Sequence, residues 1–344
     1  SDTVRRIPMI EASFWHRDRD SAVCDLCPRH CRMADGCTGY CGARTCIHGT
    51  LYASSYGKVS ALRIDPIEKK PFFHYRPGTD CLSIGGLGCN MRCLHCQNHA
   101  ISAVPSFAAT ERFEPDDLTR ICDAEGTDTL AFTYNEPTIW MEYVRDTAHA
   151  ARGKGVVTVT NGLISEEALK EATGFIDAMS IDVKGFTDRF YRDVCDARLD
   201  DVLRTCEITY SSGVHVELDY LVIPGLNDSP EEVEGFCGWV RDSLSERVAV
   251  HFTAFHPDHM MMDRPPAAAH DVLKARKIGL SCGLRYVYCG NARVDGAEDT
   301  ICPSCGAVAI RRSGFEADTA GLDGGRCRRC GSDLDISGLP DRAR

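Results

Sequence analysis

The segment Cys89-Asn90-Met91-Arg92-Cys93-Leu94-His95-Cys96 constrains this chain more than any other stretch. Three thiolates at spacings of four and three can converge on one side of a tight loop. A closed structural zinc site or a fully ligated electron-transfer cluster takes four protein ligands. A [4Fe-4S] cluster held by only three keeps one iron open, and an open metal position is what chemistry needs. The alternative is a zinc knuckle borrowing a fourth ligand from His95, His99 or another cysteine. The loop is entered from Leu82-Ser83-Ile84-Gly85-Gly86-Leu87-Gly88, a short apolar run that breaks into glycines. That pattern predicts a strand whose C-terminal end delivers the loop, with glycines letting backbone approach the metal and its ligand.

Twenty cysteines in 344 residues need an explanation. The opening Ser1-Asp2-Thr3-Val4-Arg5-Arg6 lacks the apolar core of a signal peptide. Metal ligation therefore accounts for the cysteines better than a disulfide framework, and a cytoplasmic protein is expected. They cluster at Cys24–Cys46, Cys89–Cys96 and Cys302–Cys330; Cys81, Cys122, Cys195, Cys206, Cys237, Cys282 and Cys289 read as small buried hydrophobes. A formal net charge of −11 argues against a nucleic-acid surface, and no apolar run approaches a membrane span. Neither nucleic acid nor membrane is expected as a partner.

The chain divides into three expected parts: a Cys-rich metal-binding module over 1–50, a main domain over 51–295 and a tail over 296–344. In the first, Cys24-x2-Cys27-x3-Cys31-x5-Cys37-x3-Cys41-x4-Cys46 offers six thiols in a segment too short to build its own core. A metal staple is expected there, and zinc or a second iron–sulfur cluster fits equally. Residues 51–77 suggest a hairpin, and Glu68-Lys69-Lys70-Pro71-Phe72-Phe73-His74-Tyr75 reads as a solvated charged edge over packed aromatics. In the tail, Cys302-x2-Cys305 and Cys327-x2-Cys330 give a zinc-ribbon signature, with a rubredoxin-type iron as the alternative. Arg311, Arg312, Arg326, Arg328 and Arg329 are expected to solvate it.

Between the cysteine modules, strands and helices alternate. Strands are predicted at Leu82–Gly86, Thr129–Phe132, Val156–Thr160, Ala178–Val183, Val214–Val222 and Val248–Phe255, with a last one near Tyr286–Asn291. Helices are predicted at Pro115–Ala124, Pro137–Arg152, Glu166–Ala172, Asp200–Ser211 and Pro230–Leu244. The last begins with Ser229 as cap, Pro230 in the first turn and Glu232 closing a capping box. This rhythm predicts an α/β fold, a partial (β/α)6 barrel of TIM type, in which functional residues sit at strand C-terminal ends.

The Cys-x3-Cys-x2-Cys spacing after a glycine-rich strand end, with aromatic His95 before the last cysteine, resembles the radical S-adenosylmethionine (SAM) enzymes. The resemblance implies that SAM chelates the open iron of a [4Fe-4S] cluster at Cys89, Cys93 and Cys96. One electron then releases a 5′-deoxyadenosyl radical that abstracts hydrogen. It also implies a flavodoxin- or ferredoxin-type electron donor. Phe132-Thr133-Tyr134-Asn135-Glu136-Pro137 stands where the family carries a Gly-Gly-Glu-type motif. Glu136 carries over as the partner of the SAM ammonium, with Asn135 beside it; as a plain residue, Glu136 is a helix N-terminal charge. Thr160-Asn161-Gly162 resembles a turn of the glycyl-radical activases, and ordinary turn chemistry explains it equally well. Asp182 and Lys184 alternate onto one face and resemble the activases' SAM-contacting Asp-x-Lys; a structural ion pair has the same sequence. Leu221–Asp228 resembles the adenine-backing strand, and His256 the ribose-contacting histidine, while His251 reads as a satisfied core residue.

Four stretches extend the resemblance to the radical SAM component of the AmmeMemoRadiSam system, close to the pyruvate formate-lyase activases. They are Cys24–Cys31, Pro-Ile-Glu-Lys-Lys-Pro at 66–71, Phe-Thr-Tyr-Asn-Glu-Pro at 132–137 and the terminal ribbon. That resemblance implies an N-terminal site built by Cys24, Cys27, Cys31 and Cys41, with Cys37 and Cys46 as additions, and partnership with Memo-like and AMMECR-type proteins. The substrate is either a small molecule or a protein glycine. A reading from another class, a non-catalytic multi-zinc scaffold, predicts zinc rather than iron and sulfide at Cys89, Cys93 and Cys96.

Overall fold

The computed structural model describes residues 9–102 and 109–339; the opening Ser1–Arg6 lies outside the described residues. An eight-stranded sheet runs in chain order across the molecule. Its strands are β1 (Ala61–Pro66), β2 (Asp80–Gly85), β3 (Thr129–Phe132), β4 (Gly155–Thr160), β5 (Ala178–Asp182), β6 (His215–Val222), β7 (Ala249–Ala254) and β8 (Val287–Gly290). Every neighbouring pair from β2 to β8 is parallel, and β1 lies antiparallel on β2 as the edge. The crossovers carry helices α1 (Pro115–Ala124), α2 (Met141–Ala150), α3 (Glu166–Ala172), α4 (Leu199–Ser211), α5 (Pro230–Trp239) and α6 (Ala269–Ser281). No helix among the described residues is long and apolar enough to cross a membrane.

Alternation along the strands divides the two faces of the sheet. Leu82, Ile84, Leu130, Phe132, Ile181, Leu218 and Phe252 face the helices and join the main core. The other face carries smaller side chains: Ser83, Ala131, Val157, Ala178 and Ser180 are all fully or nearly fully buried. Bulk there comes from elsewhere in the chain. Phe72 and Tyr75 pack on Ala131, Val157 and Ala178, and Phe73 packs with Ala249, Tyr286 and Tyr288.

That strap corrects the reading of residues 68–75 as a solvated edge, because Glu68, Lys70 and His74 are buried. Glu217 anchors it from β6. Its carboxylate accepts hydrogen bonds from the backbone N–H of Phe73 (2.9 Å) and His74 (2.7 Å), and from His215 (3.0 Å) and His251 (2.7 Å). The hairpin expected within 51–77 is also revised. Thr50–Ala53 pairs back onto Arg44–Ile47, while β1 covers the open edge of β2.

Local signals explain the remaining differences. The segment expected as one helix over Pro137–Arg152 opens with a 3-10 turn, Pro137–Trp140, capped by the Glu136 carboxylate accepting from Thr138 N. Ser229 caps α5 as expected, accepting from Glu232 N at 3.2 Å. The reciprocal half of the box is missing, since the Glu232 carboxylate accepts instead from Phe186 N at 2.7 Å.

The C-terminal module contains a small antiparallel sheet of Thr300–Ile301, Val308–Ser313 and Glu316–Asp318. It is tied to the strap. Leu334 O can only accept, so His74 Nδ1 carries the hydrogen of their 2.9 Å bond and Tyr288 OH donates to Nε2 at 2.7 Å. Arg312, expected to solvate the ribbon, is instead buried. It donates to Phe73 O (2.8 Å), Glu298 O (2.9 Å) and Thr300 Oγ1 (2.8 Å), with its guanidinium 4.0 Å from the Phe73 ring centroid. Arg312→Ala would leave the buried Glu68 carboxylate, 3.7 Å away, without its cation. A loss of about 3 kcal/mol is expected, read as a lower urea midpoint.

Candidate active site

The C-terminal ends of the parallel strands open on a cavity of about 480 Å³, within the range of small-molecule sites. Strand register brings its walls together. Asp182 on β5 stands opposite Asp219 on β6, and Asp219 stands opposite His251 on β7. The next inward row pairs Leu221 with Thr253 and Thr253 with Gly290. All of these residues line the cavity, together with Cys89, Cys93 and Cys96.

The cysteine loop follows β2 and is held at several points. Arg92 N donates to Cys195 O (3.0 Å) and Leu94 N to Val194 O (2.9 Å). Asn161 Nδ2 donates to Asn90 Oδ1 (3.0 Å) and Cys89 Sγ (3.4 Å). Burial pushes the Cys89 and Cys96 thiols up, and a hydrogen bond with the Cys195 thiol, followed by burial, raises Cys93. Cys195, expected to be only a buried hydrophobe, thus touches the site, though it does not line the cavity. Bound as thiolates, Cys89, Cys93 and Cys96 would need a cation to take their charge.

His95 supplies a test of fit for a bound group. It is buried, lines the cavity, and its Nδ1 has no hydrogen-bond partner among the described residues. Burial, assisted by the Lys184 charge, lowers its pKa to about 3 and keeps the ring neutral. An unpartnered buried nitrogen beside three cavity-lining thiols fits an iron–sulfur cluster with a polar ligand.

Asn135 and Glu136 first hold the strand ends. Asn135 Oδ1 accepts from Gly86 N (2.7 Å) and its Nδ2 donates to Gly88 O (3.1 Å). Glu136 accepts from Thr138 N (2.9 Å), Thr160 Oγ1 (2.7 Å) and Asn161 N (2.8 Å), so it ties β3 to β4. Burial raises its pKa against those bonds. The preceding glycines make room for protein rather than for a ligand: a Cβ on Gly85 would stand 2.9 Å from Tyr134, and one on Gly86 2.9 Å from Trp140.

Lys184 Nζ lies 2.8 Å from Asp182. Burial works against the lysine's charge, but Asp182 and Cys93 outweigh it and raise its pKa. Beside them, burial and then the Asp182 charge push Asp219 up to about 8; Thr253 Oγ1 donates to it at 2.7 Å. His256 does not join this group: it is exposed and does not line the cavity. His251 is a satisfied core residue, as expected, and forms cavity wall as well.

Sequence reasoning missed Asp219, Thr253 and the strap's contribution. Lys70 is buried with its Nζ 2.7 Å from Asp65 and 4.4 Å from the Tyr134 ring centroid. Tyr134, at φ +72°, donates its hydroxyl to the same Asp65 at 2.7 Å. Glu298, pushed up to about 7 by burial, and Phe315 bring the C-terminal module to the rim. The alternation of Glu217, Asp219 and Leu221 was the available signal for β6.

The radical SAM superfamily matches residues 83–237, the span from β2 into α5 that carries the cysteine loop. Residues 83–237 form a radical SAM domain. The chain is an enzyme, and a radical SAM fold implies a [4Fe-4S] cluster and SAM. It is similar to MJ0808, an uncharacterized protein of Methanocaldococcus jannaschii, at 42% identity over 334 residues, covering 95% of this chain and 99% of that protein. The pyruvate formate-lyase 1-activating enzyme of Escherichia coli K12 is 24% identical over 165 residues, covering 45% of this chain and 66% of that one. Streptococcus suis SuiB bound to S-adenosylmethionine is similar in structure, with a TM-score of 0.48 and 10% identity, covering 61% of this chain and 49% of that one.

Two further cysteine groups accompany the radical SAM site. Cys302, Cys305, Cys327 and Cys330 bring their sulfurs within 4.8 Å of one another, with Cys302–Cys330 at 3.6 Å and Cys305–Cys327 at 3.7 Å. Tetrahedral bonds of about 2.3 Å to one ion would set sulfurs about 3.8 Å apart. Cys24, Cys27, Cys31 and Cys41 line one small cavity, which neither exposed Cys37 nor buried Cys46 lines.

Proposed function

We propose that Cys89, Cys93 and Cys96 hold a site-differentiated [4Fe-4S] cluster whose open iron binds SAM. Reduced by one electron, the bound pair supplies a 5′-deoxyadenosyl radical that abstracts hydrogen from a substrate. One observation carries this reading: three cysteines line the head of a cavity whose walls present Lys184, Asp182 and Asn161. Lys184 is placed to meet the SAM carboxylate, and Asp182 the ribose. Glu136 is already committed to three protein donors, so its part is to orient Asn161 and Thr160 rather than to carry the ammonium alone.

The substrate is a small molecule or a short flexible segment, because Lys70, Phe73 and Phe315 add walls to the cavity. A glycyl-radical activase is the second reading, favoured by the similarity to the Escherichia coli activating enzyme. The wider proposal is the radical SAM component of the AmmeMemoRadiSam system, in the cytoplasm. A flavodoxin or ferredoxin supplies electrons, Memo-like and AMMECR-type proteins are partners, and the C-terminal cysteines hold zinc.

Anaerobically reconstituted protein given dithionite and SAM is expected to release 5′-deoxyadenosine. Deuterated candidate substrates then identify the hydrogen donor by label transfer, and a glycyl-radical signal on an added protein would select the activase reading. A fully loaded cluster that leaves SAM intact would overturn the proposal.

A further inference from the structure

We propose that Cys24, Cys27, Cys31 and Cys41 hold a second [4Fe-4S] cluster, hydrogen-bonded by Arg44, which passes electrons to the site at Cys89, Cys93 and Cys96. The electron transfer rests on the function proposed above; the metal assignment does not.

The N-terminal cavity presents a buried donor that lacks an acceptor. Arg44 lines it at 1% exposure, donating to Glu142 Oε1 at 2.6 Å and Ser13 O at 2.8 Å. Its Nε has no partner among the described residues. A buried guanidinium N–H without an acceptor is costly, and a cluster sulfide or thiolate in this cavity supplies one. Arg44 and Glu142 neutralise one another, so Arg44 also needs no further carboxylate.

Sulfur spacing separates a cluster from a single ion. Among the described residues, only the C-terminal four cysteines gather with all ligand atoms within 4.8 Å. No three thiols of the N-terminal set are that close, although all four face one cavity. A zinc ion would draw them to about 3.8 Å. A cuboidal cluster spreads them, since each thiolate binds a different iron.

The two cysteine loops then touch. A Cβ on Gly88, beside Cys89, would stand 2.1 Å from Cys41 O, so the backbones are in direct contact. Asn90 lines the N-terminal cavity and accepts from Asn161, whose amide also reaches Cys89 Sγ. Arg29 and Arg92 hold Tyr40 between them, 3.7 and 4.1 Å from its ring centroid. A low-potential one-electron donor, reduced flavodoxin, ferredoxin or dithionite, takes the N-terminal cluster from [4Fe-4S]2+ to [4Fe-4S]+. That electron passes to the neighbouring [4Fe-4S]2+ cluster, and the first returns to [4Fe-4S]2+.

The test removes the main site and counts metal. Cys89→Ala/Cys93→Ala/Cys96→Ala protein, reconstituted anaerobically with iron and sulfide, is expected to hold about four of each per chain, against about eight in the unaltered chain. Zinc there, or no iron, overturns the assignment. Cys24→Ala/Cys27→Ala protein is expected to keep the other cluster and to accept electrons from reduced flavodoxin at least about tenfold more slowly; an unchanged rate overturns the relay. If that variant does not fold, the fully reduced unaltered protein must show spin coupling between two clusters in its EPR spectrum, and two uncoupled signals overturn the relay. A failure of SAM to perturb the unaltered protein's spectrum would sink the proposed function and leave the N-terminal iron count standing.

Discussion

Cys93→Ala is expected to bring 5′-deoxyadenosine release to background, a fall of at least about a thousandfold. The reason is the ligand count. With three thiolates one iron is open; with two the cluster has no stable seat, and neither chelation of SAM nor electron transfer survives. Cys195→Ser is the informative control, because its thiol is hydrogen-bonded to Cys93 but does not line the cavity. It should keep the cluster and most of the activity. Lys184→Met should separate binding from chemistry: losing one charge-assisted contact is expected to weaken SAM binding by about 10- to 100-fold, with the iron content unchanged. Iron analysis and chromatography of the nucleoside on all three variants settle the matter. Full activity in Cys93→Ala would refute the cluster, and loss of iron in Lys184→Met would make that lysine structural.

Much of this site was legible because its signals are local. Three cysteines within eight residues, a carboxylate and turn at the ends of β3 and β4, and the alternating Asp182 and Lys184 all required only the chain around them. The structure brings these residues around one cavity. What was not legible depends on distant neighbours. Asp219 enters the site through its register with Asp182, which no window of sequence contains. Lys70 looked solvated because its ring partner Tyr134 follows β3, far along the chain. Arg312 looked like a solvating charge because Phe73 O and Glu68, which hold it, lie at the other end of the chain.

The largest expected effect on stability lies beneath the cavity. Glu217→Ala should cost about 3–5 kcal/mol, because one fully buried carboxylate serves four donors: two strap N–H groups and two imidazoles. Glu217→Gln should cost nearly as much, since its amide turns an N–H₂ toward groups that need an acceptor. The same carboxylate makes stability depend on pH. Burial alone would raise its pKa, but the hydrogen bonds from His215 and His251 outweigh burial and hold it well below the usual carboxylate range. A folded pKa below the unfolded value of about 4.3 contributes stability that is fully present above that pH. That contribution is lost as pH falls from there toward the folded pKa. Urea midpoints measured between neutral and acidic pH should therefore converge for Glu217→Gln and the unaltered protein as pH falls below about 4.3. Acid also strips metal from cysteine sites, but it does so in both chains, and the difference between them isolates Glu217. Equal midpoints at neutral pH would mean that the strap is held by its aromatic packing alone. The cavity would then stand on Phe72, Phe73 and Tyr75 rather than on this carboxylate.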